Sequence, residues 1–153
     1  MSARPRTLSR VAAVQALYQA EQGGQNPETV IDQFVRHRMG AGMLEDGRLA
    51  EADIPLFARI VRAAAERQDT LDPMLVAALP ETWPLARLDP VLRALMRAGG
   101  AELWMADGPP AKVVINEYLD VAHGFFAGDE PRMANGVLDR LAHLLRPAEF
   151  CSA

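Results

Sequence analysis

Three arginines with no carboxylate among them open the chain: Arg4, Arg6 and Arg10 all lie within the first ten residues. The planar guanidinium fork engages phosphate in pairs of hydrogen bonds, so such an arm suits an RNA backbone. On composition alone the cluster serves solubility equally well, and both readings stand at this point. The formal charge is -4 for the whole chain, which leaves -7 on everything after this arm. Tyr18, two turns beyond Arg10, offers a ring that can stack on a base or be absorbed by a core, and helical spacing favours the core.

Other candidate chemistry fails for want of parts. Asp120 and His123 have the spacing of half a carboxylate–histidine di-iron site in a helical bundle, but the second half is missing. Asp139 and His143 are four apart instead of three, and no glutamate of the remaining helices is read on an apolar face. No metal site is expected, and His37, His123 and His143 belong on surfaces or helix flanks. A glycine-rich phosphate loop and a nucleophile signature are both lacking, so neither catalysis nor a cofactor is expected. Cys151 is the sole cysteine, which excludes an intrachain disulfide and a cysteine-based zinc site and suits a reducing cytoplasm. No run approaches the roughly 20 apolar residues that span a bilayer, and no apolar run follows the charged N-terminus. A soluble cytoplasmic protein without a membrane partner is expected.

The elements that must carry the arm read as helices nearly throughout, with no period-two alternation. The first helix is expected from a Thr7 cap, with Leu8, Val11, Val14, Leu17 and Tyr18 inward and Arg6 and Arg10 together on its outer face, ending at Gly23 and Gly24. Asn26 and Pro27 open a second helix, Asp53 with Pro55 a third, and Asp72 with Pro73 a short fourth. Asp89 and Pro90 open a fifth, interrupted by Gly99 and Gly100, where either close packing or local weakness is implied. The sixth, after Pro110, is apolar around most of its circumference, with a polar stripe of Lys112, Asn116, Asp120 and His123, and is expected to be central. A seventh follows Asp129. The expected architecture is an all-α, compact single-domain bundle of about six or seven helices: a flexible basic arm at 1–6, the helical domain at 7–146 and a tail at 147–153.

Four ordered blocks carry a resemblance to a known family. Ala13-Val14-Gln15-Ala16-Leu17-Tyr18, Arg87-Leu88-Asp89-Pro90 with Leu95 and Arg97, Pro110-Ala111-Lys112-Val113-Val114-Ile115-Asn116-Glu117, and Ala134-Asn135-Gly136-Val137-Leu138-Asp139 together resemble the NusB family over about residues 4–146. The resemblance implies a NusB-like helical fold and a transcription antitermination role. It implies binding of boxA-type RNA with the ribosomal protein NusE, and joining of the elongating RNA polymerase complex, mainly on ribosomal RNA operons. Arg6 and Arg10 match the family's arginine arm, with Arg4 beside them, as phosphate contacts that position RNA without reading bases. Tyr18, Asp129 and Met133 would form the base platform, although the family often has phenylalanine at the position of Met133. Trp83 is expected in the interface with the protein partner. Asn116, Glu117 and Asn135 are expected to satisfy buried backbone groups, Gly136 to permit close helix approach, and Trp104 to fill the space left by Ala101, where the family has an aromatic.

Two other readings share the fold. One is the NusB-like module preceding the catalytic domain of some ribosomal-RNA cytosine methyltransferases, which needs a cofactor-binding domain that these 153 residues do not hold. The other is a homodimeric helical interaction protein without RNA binding.

Overall fold

The structure, a computed structural model, describes residues 5–39 and 52–151. Among these, seven α-helices are present and no strand: α1 (Pro5–Gly23), α2 (Pro27–His37), α3 (Ile54–Glu66), α4 (Gln68–Ala78), α5 (Pro90–Trp104), α6 (Ala111–Phe125) and α7 (Glu130–Leu145). Short 3-10 turns at Leu85–Arg87 and Pro147–Phe150 complete the chain. No described helix is long and apolar enough to cross a membrane.

Local chemistry sets three of the seven helix starts. The side chains of Asn26, Asp53 and Asp89 accept from the backbone N–H groups of Glu28, Leu56 and Val91, each satisfying a donor that the first turn leaves unpaired. Proline in the first turn of α2, α3 and α5 loses no hydrogen bond there, because those N–H groups have no helical partner. Gly24, with φ +61, lets the chain leave α1 in the left-handed region.

Two boundaries differ from the sequence reading. Helix α1 begins at Pro5, so Pro5 and Arg6 are helical, and Thr7 uses its hydroxyl on Glu117 instead of capping. Arg4 lies outside the described residues. Pro73 sits inside α4, which has already started at Gln68, and Asp72 spends its carboxylate on Arg97 instead of on a cap.

The central helix is α5, not α6. It packs against α1, α3, α4, α6 and α7, and ten of its residues, from Leu92 to Leu103, are buried. Its glycines are the reason. A methyl at Gly99 would stand 3.0 Å from both Leu138 methyls of α7, and one at Gly100 would stand 2.9 Å from a Leu71 methyl of α4. The two residues let neighbouring leucines seat directly on the α5 backbone, so the close packing is by side chains. By contrast, α6 exposes Lys112, Asn116, Asp120 and His123 as the stripe predicts, but also Val113 and Phe125. At Gly136 an added methyl would meet nothing within 4 Å, so this glycine serves no close approach. Trp104 is half-buried, packed against the core on one side and under the Arg67 guanidinium, 4.6 Å from the ring, on the other.

Residues 147–150 are an ordered clasp. Arg146 donates to the carbonyls of Leu103 and Met105 at the end of α5 and of Pro109 before α6, at 2.8, 2.9 and 2.5 Å. Three residues on, Glu149 accepts the Ala111 N–H at the start of α6 at 2.8 Å and Arg146 at 3.0 Å. A cation at one helix C-terminus and an anion at the next N-terminus both complement the helix dipoles. His143 and Phe150 stack at 3.8 Å between ring centroids and hold the turn against α7.

Candidate nucleic-acid interface

The first turn of α1, which carries Arg6, is tied down on two flanks. Toward α3, the Ser9 hydroxyl shares its one proton between the Asp53 carbonyl (2.6 Å) and the Pro5 carbonyl of its own helix (3.0 Å), and the Asp53 N–H donates to the Pro5 carbonyl at 3.3 Å. Toward α6, the Thr7 hydroxyl donates to Glu117 Oε1 at 2.9 Å, and Arg10 Nη1 donates to the same oxygen at 2.7 Å. Arg6 stands exposed between these attachments and lines a cleft of about 350 Å³ with Arg59, Asp107 and Pro109. Arg59 is already paired with Asp107 at 2.8 Å, whereas Arg6 is among the exposed cations with no carboxylate partner among the described residues.

Arg10 is not on the outer face. It is 2% exposed, and its guanidinium meets the fully buried Glu102 carboxylate through Nε at 2.9 and 3.1 Å and Nη2 at 2.5 Å. The Tyr118 hydroxyl donates to Glu102 Oε1 at 2.9 Å, so the carboxylate is satisfied from both α1 and α6. Burial opposes the Arg10 charge, but the hydrogen bonds and charge of Glu102, with Tyr118 and Glu117 beside it, outweigh that and hold the guanidinium above its ordinary range. Burial, then the charge of Glu102, pushes the Tyr118 hydroxyl well up, which keeps it a donor.

Arg6 and Arg10 occupy nearly the same line of α1. One turn separates the rim of the bundle from its interior, and Arg10 has crossed it because Glu102 waits there. A carboxylate on an apolar face was therefore present after all: Glu102 follows Leu95 by seven residues, two helical turns, and that spacing was the available signal. Glu117 was also misread, since it binds the Thr7 and Arg10 side chains and not backbone groups. Asn116 is exposed.

The remaining expected site residues are spread over the molecule. Tyr18 is 39% exposed, so the core reading fails for it. Thr7, Val11, Val14 and Tyr18 share one stripe of α1, with Tyr18 roughly 16 Å along the axis from Thr7. Asp129 is exposed at the α6–α7 junction and makes no side-chain cap bond, which leaves its carboxylate available. Met133 is half-buried against the core. Trp83 is 37% exposed in the segment between α4 and α5. Among the described residues, no group of three His, Cys, Asp or Glu side chains is placed to hold a metal ion.

A profile of the NusB family matches residues 7–143. The chain belongs to the NusB family. It is 66% identical over 151 residues to the transcription antitermination protein NusB of Granulibacter bethesdensis, covering 96% of this chain and 93% of that protein. Its fold is similar to that of T. maritima NusB, with TM-score 0.77 and 25% identity, over 98% of this chain and 99% of that one. It is also similar in fold to a chain from a complex of antitermination factors NusB and NusE with double-stranded RNA, with TM-score 0.73 and 20% identity, over 90% of this chain and 96% of that one.

Proposed function

We propose that this NusB-family protein is a transcription antitermination factor of the cytoplasm. It binds boxA-type RNA together with the ribosomal protein NusE and joins the elongating RNA polymerase, mainly on ribosomal RNA operons. The observation that carries this reading is the 66% identity, across nearly the whole of both chains, to a protein with that role in its name. The exposed Arg6 at the open end of α1 supports it from the site.

In this reading Arg6, with Arg4, contacts phosphate, and Arg10 does not, because its guanidinium is enclosed by Glu102 and Glu117. Tyr18, Asp129 and the open edge of Met133 contact bases: an aromatic face for stacking, a free carboxylate for a base amine, and an apolar edge. Trp83 meets the protein partner, since an exposed indole is a favoured interface anchor.

Binding of a boxA-type RNA, measured with and without NusE over a range of salt, tests the reading. Arg6→Ala is expected to weaken binding for all sequences and to reduce the salt slope by about 0.7–0.9 for the lost charge. RNA affinity unchanged by this substitution removes Arg6 from the interface. In parallel, Trp83 fluorescence should shift when NusE is titrated in, and a constant spectrum from a Trp104→Phe background places the interface elsewhere.

A further inference from the structure

We propose that Glu117 is a positioning residue for RNA: it fixes the direction in which Arg6 is presented, through Thr7 on one side and Arg10 on the other. The inference rests on the RNA-binding reading above.

Glu117 Oε1 is the one acceptor shared by Thr7 Oγ1 (2.9 Å), the residue after Arg6, and Arg10 Nη1 (2.7 Å), one turn beyond Arg6. Ser9 pins the opposite flank of the same turn to Asp53. The turn is thus clamped between α6 and the start of α3, and Arg6 leaves from the gap between the two clamps. The α3 clamp is partly backbone to backbone. The α6 clamp converges on this single side-chain oxygen.

Glu117 also differs from Glu102 in what its loss exposes. Glu102 is fully buried and holds the Arg10 charge in the interior, whereas the Glu117 side chain is 22% exposed and Arg10 keeps Glu102 when Glu117 is removed. Removing Glu117 therefore loosens the turn without stranding a buried charge. Its effect on RNA also has a diagnostic sign. A carboxylate next to an RNA-binding end repels phosphate, so charge alone predicts that Glu117→Ala tightens binding. Positioning predicts the reverse.

The experiment compares wild type, Glu117→Ala, Glu117→Gln, Arg6→Ala and the Arg6→Ala/Glu117→Ala double variant for boxA-type RNA binding in the presence of NusE. Amide hydrogen exchange is followed across Arg6–Arg10. Glu117→Ala is expected to weaken RNA binding about fivefold, the size of one or two net hydrogen bonds. It should leave the salt slope unchanged and speed exchange in the first turn of α1. The Gln variant keeps a carbonyl oxygen facing both donors and should restore most of the affinity. The double variant should bind about as weakly as Arg6→Ala alone, because Glu117 acts through Arg6. Wild-type or tighter binding by Glu117→Ala, or full additivity with Arg6→Ala, overturns the proposal while leaving the RNA-binding reading intact. If wild type with NusE does not bind the RNA, that reading falls and this inference with it.

Discussion

At the scale of single residues, the buried Arg10–Glu102 pair is the feature whose energetics are most exposed to mutation. Each charge is removed from water, and each is tolerated only because the other is there with Tyr118 completing the carboxylate's partners. Arg10→Met therefore leaves Glu102 as an unpaired interior charge and should cost about 3–5 kcal/mol in urea unfolding. The double variant Arg10→Met/Glu102→Leu should recover much of that loss. Equal losses in the single and double variants would mean the pair is not coupled in solution. Tyr118→Phe removes one donor and should cost about 1 kcal/mol. This pair also shows why the arm was read wrongly from the sequence. Spacing alone places Arg6 and Arg10 on one line of α1, and nothing in that line says where the rim ends. The deciding partner is 92 residues away in the chain. Glu102 at two turns from Leu95 was the legible half, and it marks an inward carboxylate that needs a cation.

At the scale of helices, capping and packing were unequally legible. Asn26, Asp53 and Asp89 announce helix starts because a cap is a local event, satisfied within three residues. Which helix is central is not local. The apolar circumference of α6 pointed to it, but centrality belongs to α5, whose two glycines remove side chains so that Leu71, Leu138 and Leu141 can approach. Those leucines are themselves fully enclosed, so they have little room to yield. Gly100→Ala is accordingly expected to destabilise by about 1–3 kcal/mol through overpacking, despite alanine's better helix propensity. Gly136→Ala, in the interior of α7 with open space around the new methyl, should instead stabilise by up to about 1 kcal/mol. Thermal or urea unfolding of the two variants checks the opposite signs. A stabilised Gly100→Ala would show that α4 and α7 can move away from α5 without cost.

At the scale of the whole molecule, the C-terminal clasp and the surface ion pairs make stability depend on acidic carboxylates staying ionised. The Ala111 N–H and then Arg146 hold Glu149 below the ordinary glutamate value, and Arg93 with Arg97 does the same for Glu21 at the junction of α1 and α5. Arg62 lowers Glu28, and Arg59 lowers Asp107. A carboxylate whose pKa is depressed on folding contributes stability above its unfolded value, and that contribution disappears as pH falls through the folded value. The urea midpoint should therefore be level from pH 7 to 5 and decline from about 4.5 downward, the ordinary glutamate value. These groups are mostly exposed, so each contributes modestly and salt should flatten the acid limb. Arg146 is different in kind, because it is the donor for carbonyls at the end of α5 and before α6. Arg146→Ala should cost about 2 kcal/mol at neutral pH, as expected for charge-assisted bonds left unmade in a half-buried site. Glu149→Gln separates the two effects. It keeps an oxygen to accept the Ala111 N–H but carries no charge and cannot titrate, so the neutral midpoint should fall slightly, toward the value wild type reaches once Glu149 is protonated, and the acid limb should become shallower by the same amount. An acid limb identical to wild type would mean that Glu149 is free of its partners in solution and that Arg146 alone closes the clasp.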